Sequence, residues 1–196
     1  MNLMLTCLAA LAIGSTGTAP VNSAAPTFTL TDAKGAKVSL EDFRGKYVVL
    51  EWWNYQCPIV VKHYSSQNMQ NLQRKLTGEG VVWLTICSSA PGKQGNVDGA
   101  KALEVMAGQK GAPTSILLDP TGEVGKKYDA KTTPHMFLVS PKGELLYDGA
   151  IDSIPSSNAA DIPKAENYVL KAFEEAKGGK AVSNPKTRPY GCNVKY

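Results

Sequence analysis

One cysteine at a strand-to-helix corner constrains this chain more than any other feature. Residues 47–52 (Tyr47, Val48, Val49, Leu50, Glu51, Trp52) form a nearly continuous apolar, β-branched run, the pattern of a strand buried on both faces. Trp53, Asn54, Tyr55 and Gln56 make an aromatic-polar corner, and Cys57 follows with Pro58 directly behind it. Val60, Val61, Tyr64, Met69, Leu72 and Leu76 then recur at roughly helical spacing, which predicts one helix over 58–76, stopped by Gly78 and Gly80. The thiol is thereby expected over the first turn of a helix. Unpaired N–H groups and the positive end of the macrodipole favour a thiolate there. Such sites bring a cysteine pKa from about 8.5 into the range of roughly 3.5–7.5.

The remaining elements alternate between the two periods. Residues 26–31 and 37–40 flank the turn Asp32-Ala33-Lys34-Gly35 and predict an N-terminal hairpin. Residues 81–86 read as a second buried strand and 88–98 as a long Ser/Gly/Pro loop. A helix follows over 97–109, a third strand over 114–118, and a helical turn over 124–128. Thr133-Pro134 leads into a strand over 135–140, which Pro141-Lys142-Gly143 turns back into an antiparallel partner over 144–149. A closing helix is expected over 161–177, with Pro163 in its first turn and Gly178-Gly179 as its stop. This order predicts an α/β fold whose mixed central sheet is flanked by helices on both faces. Cys57 would lie past the C-terminal end of a parallel strand, where open α/β sheets place their sites.

With 196 residues the chain is long enough for one domain with a sizeable core. Its net charge of +4 is spread along the sequence without a compact basic cluster, which argues against nucleic acid as a partner. Residues 1–23 differ from the rest. An apolar stretch over 3–13 precedes small polar residues, and Asp32 is the only charge before Lys34. This resembles a signal peptide and implies a periplasmic or secreted protein. The apolar stretch is too short to cross a bilayer, which takes about 20 residues. The expected organisation is a leader over 1–23, a redox domain over 24–178 and a tail over 179–196. Removing the leader takes Cys7 with it and leaves Cys57, Cys87 and Cys192. With no C-x-x-C pair a cysteine-based zinc site is not expected, and the leading reading calls for no metal or cofactor.

Trp53-Asn54-Tyr55-Gln56-Cys57-Pro58 at such a corner, with Thr133-Pro134 before a core strand, resembles the thioredoxin fold. Residues 137–144 resemble its closing hairpin. The N-terminal hairpin and Leu117-Leu118-Asp119 resemble the alkyl hydroperoxide reductase/thiol-specific antioxidant (AhpC/TSA) branch, over about residues 26–177. The resemblance implies a cis bond before Pro134, opposite the cysteine. Val60 stands where thioredoxin-type enzymes carry a second cysteine, so no disulfide can form within the motif. Asn54 replaces the hydroxyl residue that peroxiredoxins place three before their cysteine, and Pro134 stands where they place an arginine. None of Arg44, Arg74 and Arg188 falls at a matching position.

These residues point to an exported thiol oxidoreductase with Cys57 as its reactive group. The first reading is peroxide reduction and the second is exchange with protein disulfides. A non-enzymatic module that binds a metal or a protein is the third. A thiolate attacked by peroxide becomes a sulfenic acid, whereas a disulfide gives a mixed disulfide. Either product needs a second thiol. Cys192 in the tail is the expected resolving residue, Cys87 its alternative, and an external thiol or thioredoxin-like protein the expected reductant. Pro58, Trp53, Asn54, Thr133, Pro134 and His135 are expected to support the site, with His135 approaching Cys57 as a possible base and Lys62 as a possible substitute for the arginine. His63 lies about 240° round the helix from Cys57, so the two do not share a face.

Overall fold

A computed structural model describes residues 20–196, so nearly all of the expected leader lies outside the described residues. Among the described residues there are nine strands: β1 (Thr29–Asp32), β2 (Lys37–Ser39), β3 (Val48–Trp52), β4 (Val82–Cys87), β5 (Ser115–Leu118), β6 (Thr132–Thr133), β7 (His135–Val139), β8 (Leu145–Gly149) and β9 (Cys192–Asn193). Five helices accompany them: α1 (Pro58–Ser65), α2 (Asn68–Gly78), α3 (Gly99–Gly108), α4 (Glu123–Lys127) and α5 (Tyr168–Lys177). Seven strands form one sheet in the order β2-β1-β5-β4-β3-β7-β8, with β3, β4 and β5 parallel and the others antiparallel to their neighbours. The expected mixed α/β architecture with its N-terminal hairpin is therefore present.

Strand β3 sits in the middle, and its alternation divides the core. Val48, Leu50 and Trp52 pack toward Phe28, Val124, Tyr128 and Phe137. Val49 and Trp53 pack on the other face with residues of α1, α2, α3 and α5. This two-sided burial explains the unbroken apolar run in the sequence. Pairing places Trp52 opposite Ile86 on one side and His135 on the other, so the last residues of β3 and β4 and the first of β7 come to the same end of the sheet.

Two expected helices are broken. Between 58 and 78, Gln67 takes φ 64°, in the left-handed region, and separates α1 from α2. The hydroxyl of Ser66 donates back to the Lys62 carbonyl, and the Gln70 amide donates to the Tyr64 carbonyl. Side chains thus take the carbonyls that a continuing helix would use. Near the end of the domain, Ala159–Lys164 is a 3-10 turn containing Pro163, and α5 starts only at Tyr168. Ala165 is extended, and the Asn167 side chain caps α5 by accepting from the Leu170 N–H at 2.9 Å.

The tail is not loose. Lys186 bridges to Asp148 of β8, and Thr187 is bound to Tyr147 and Ala150. Beyond it β9 pairs antiparallel with β6, Thr132 opposite Asn193 and Thr133 opposite Cys192. The Val194 N–H donates to Lys131 O, Lys195 O accepts from the Ala90 N–H, and the Tyr196 hydroxyl donates to Ala130 O. The last residues thus cross the end of the sheet where β3 and β4 finish and β7 begins.

Candidate functional site

The corner is built by local hydrogen bonds. Asn54 is buried; its side-chain oxygen accepts from the Gln56 N–H at 2.9 Å and its carbonyl from the Cys57 N–H at 3.0 Å. Its amide donates to Gln94 O at 3.2 Å, and Gln56 Oε1 accepts from the Gly95 N–H at 3.0 Å. A Cβ on Gly95 would lie 2.2 Å from Asn54 Oδ1, so the 88–98 loop can close over the corner only with glycine there. Trp53 packs in the core against Tyr55, with ring centroids 5.8 Å apart. Cys57 is the N-cap residue of α1 and Pro58 its first helical residue.

The Cys57 side chain is fully buried. Its thiol donates to the Thr133 carbonyl at 2.9 Å, across the cis Thr133–Pro134 peptide. The Cys192 N–H donates to Cys57 Sγ at 3.4 Å. Burial pushes the Cys57 pKa up. The hydrogen bonding that the Cys192 thiol, the Val60 and Cys192 N–H groups and the Thr133 hydroxyl offer to the thiolate outweighs it, and holds the pKa below the ordinary thiol value. The Val60 contribution is the helix N-terminus acting on the sulfur. The Thr133 hydroxyl, buried without a hydrogen-bond partner, is free to turn to the thiolate once Cys57 ionises. Cys192 moves oppositely, up to about 11, through burial and its closeness to Cys57. The pair shares its first ionisation, with the charge resting mainly on Cys57.

Other candidates lie elsewhere. His135 does not serve Cys57: its Nε2–H donates to Asp148 at 2.8 Å and its Nδ1 accepts from the Lys131 N–H at 3.1 Å. Both ring nitrogens are occupied on the β8 side. Asp148 also pairs with Lys186 of the tail at 3.0 Å. Burial raises the Asp148 pKa, but the bonds to His135 and Lys186 prevail and hold it low. Lys62 is buried, with Nζ bonded to Ser156 O at 2.8 Å. Arg44 and Arg74 donate to the carbonyls of Lys142 and Lys110. Cys87 is buried at the end of β4 against Gly95 O, and burial raises its pKa. Among the described residues no group of three metal-ligating side chains comes together.

Two features escaped the sequence reading. Tyr190, two residues before Cys192, donates its hydroxyl to the buried Asp152 carboxylate, and His63 Nε2 lies 3.4 Å from the same hydroxyl. Burial drives the His63 pKa down to about 4, so the cluster holds a neutral imidazole near neutral pH. Glu51 is fully buried in β3 and accepts from Trp83, Thr85, Tyr64 and Gln73 at 2.8–3.2 Å. Desolvation raises its pKa against those four donors. One carboxylate in an otherwise apolar strand was the available signal for Glu51; the Tyr190 cluster had none.

A buried thiol on a helix N-terminus facing a cis-proline loop defines a thioredoxin-fold redoxin. The profile of the AhpC/TSA family matches residues 21–148, and the chain belongs to that family. The thiol-disulfide oxidoreductase ResA of Bacillus subtilis (strain 168) is 28% identical over 125 residues, a match spanning 63% of this chain and 64% of the relative. A hypothetical protein of Sinorhizobium meliloti 1021 superposes with a TM-score of 0.76 at 22% identity, covering 92% of this chain and 96% of that one. A putative thiol:disulfide interchange protein DsbE of Chlorobium tepidum superposes at 0.54 and 23% identity, covering 67% and 85%. These two superpositions establish the fold.

Proposed function

We propose that the protein is a thiol–disulfide oxidoreductase whose redox pair is Cys57 and Cys192. One observation carries this reading: strand pairing sets Cys192 against the Cys57 thiol, with its N–H on the sulfur at 3.4 Å. The tail thus supplies the second thiol that Val60 denies the motif. In the reducing direction the dithiol gives two electrons and two protons to a substrate disulfide, yielding two substrate thiols and a Cys57–Cys192 disulfide. An external thiol or a thioredoxin-like protein restores the dithiol. The named relative ResA supports exchange over peroxide reduction. So does the engagement of Arg44 and Arg74 with backbone carbonyls rather than with the thiol.

The leader-like residues 1–23 lead us to place this reaction outside the cytoplasm, where disulfides persist. Among the described residues no helix is long and apolar enough to cross a membrane. The test is reduction of a disulfide-bonded peptide, with peroxide consumption measured in parallel. Wild type is expected to reduce the peptide and to accumulate a Cys57–Cys192 disulfide, while Cys57→Ser and Cys192→Ser each lose steady turnover. Rapid peroxide consumption without peptide reduction would replace this reading with the antioxidant one.

A further inference from the structure

Within the Cys57–Cys192 pair the two sulfurs are not equivalent. Cys57 is 0% exposed and sits in the larger core cluster with Trp53, Val60 and Tyr64. Cys192 keeps part of its surface in solvent, on a tail that lies over the site. Thiolate attack on a disulfide proceeds in line, with the nucleophile approaching the attacked sulfur from the side opposite the sulfur that leaves. An attack on Cys57 must reach a sulfur wholly enclosed by the core. An attack on Cys192 meets the one residue of the pair that keeps some exposure.

We infer that Cys192, not Cys57, is the sulfur that exchanges with substrates and reductants, and that Cys57 is the buried leaving and resolving thiol. This deepens the redox-pair reading and rests on it. The step balances as follows. An incoming thiolate RS⁻ attacks Cys192 Sγ of the oxidised pair and forms an RS–Cys192 mixed disulfide. The Cys57–Cys192 bond breaks and its electron pair leaves on Cys57 as a thiolate. A second incoming thiolate attacks the R sulfur, releasing RSSR and the Cys192 thiolate, which takes a proton from solvent. In the opposite direction the Cys192 thiol gives its proton to solvent and attacks the substrate disulfide, one substrate thiolate leaves, and the Cys57 thiolate then displaces the second substrate thiolate from Cys192 and closes the pair.

The site's electrostatics suit Cys57 as the leaving and resolving thiol, while the raised Cys192 pKa slows its attack on a substrate disulfide relative to the return step. The departing sulfur is the one whose thiolate is held by the Val60 and Cys192 N–H groups, and a leaving thiol of lower pKa departs faster. The positions also reverse the sequence expectation, in which Cys57 met the oxidant and Cys192 resolved it. The reason lies in the tail. Pairing of β9 with β6 buries Cys57 beneath the strand that carries its partner.

The experiment uses the oxidised wild-type protein. Its disulfide is first mapped; if Cys57–Cys192 is absent, the redox-pair reading itself has failed and this inference with it. The mapped protein is then mixed with one equivalent of 2-mercaptoethanol or of a short cysteine peptide. It is quenched in acid, denatured and alkylated, and the adducts are located by mass spectrometry. The expected map has the adduct on Cys192 and the alkyl label on Cys57. An adduct on Cys57, or an even division between the two, overturns the inference. A second measurement compares rate constants for reduction by the two thiols, corrected for thiol pKa. Attack at the outer sulfur gives similar constants, while a steep loss with the larger thiol shows that the buried sulfur is the target.

Discussion

The behaviour of Cys57 is decided by competition between its burial and its hydrogen bonds. Burial opposes the thiolate, and donors from the start of α1, from Cys192 and from Thr133 favour it; the donors prevail. The ultraviolet absorbance of the reduced protein should therefore show one thiolate forming below the ordinary cysteine value of about 8.5. Cys192→Ala should move that midpoint upward, because it removes the thiol donor; an unchanged midpoint would show that the tail thiol does not act on Cys57. The same shift gives a sign to stability. Between the folded and unfolded pKa values the unfolded thiol still holds a proton that the folded one has released. Folding stability thus rises with pH across that window, and the contribution is lost as pH falls through the folded value. Asn54 shows a different use of polarity. It occupies the place of a hydroxyl residue in the peroxide-reducing pattern, yet its side chain is spent on Gln56 and Gln94, bracing the corner.

Among the elements, the β6–β9 pair matters most and has the least sequence signature. It spans two residues on each strand and joins segments far apart in the chain, so no local periodicity announces it. Its fit depends on Gly191, which takes φ 137° and passes so close to Thr133 that a Cβ would lie 2.1 Å from the carbonyl oxygen. Gly191→Ala is expected to lift the tail from Thr133. Amide exchange at Cys192 and Val194 should then rise by at least about tenfold, corresponding to the loss of roughly one hydrogen bond's worth of stability. Exchange at wild-type rates in this variant would mean that the pairing tolerates a side chain. The Cys57 corner and the proline loop were legible because each is a short motif with its chemistry in adjacent residues. His135 was misread because its partner lies on β8, and sequence order next to Pro134 says nothing about which way the ring turns. The single helix expected over 58–76 failed beside Gln67, where Ser66 and Gln70 take backbone carbonyls, and that over 161–177 failed at Asn167, whose side chain caps α5; periodicity alone ignores such bonds.

At the scale of the whole molecule, the fold class followed from alternation of strand and helix patterns, and the mixed sheet bears that out. The Glu51 network ties β3, β4, α1 and α2 through one buried carboxylate, beneath the corner that carries Cys57. The tail then closes the opposite side by wrapping from β8 across the site to α4. Cys57 and Cys192 meet from 135 positions apart in the sequence. A covalent bond between them would knot most of the domain into a single ring. In the chain-entropy account, a ring of that size disfavours the unfolded state by about 5 kcal/mol. The oxidised protein should accordingly unfold at a higher urea midpoint than the reduced one, and Cys192→Ala should abolish the difference. Equal midpoints would show that the bond is strained enough to cancel its entropic gain. By the same thermodynamic cycle, whatever favours the native chain also favours the oxidised pair. With that bond formed, the electron affinity of the protein would be written into its folding equilibrium: a chain that had lost its shape would give up the disulfide more readily than one that had kept it.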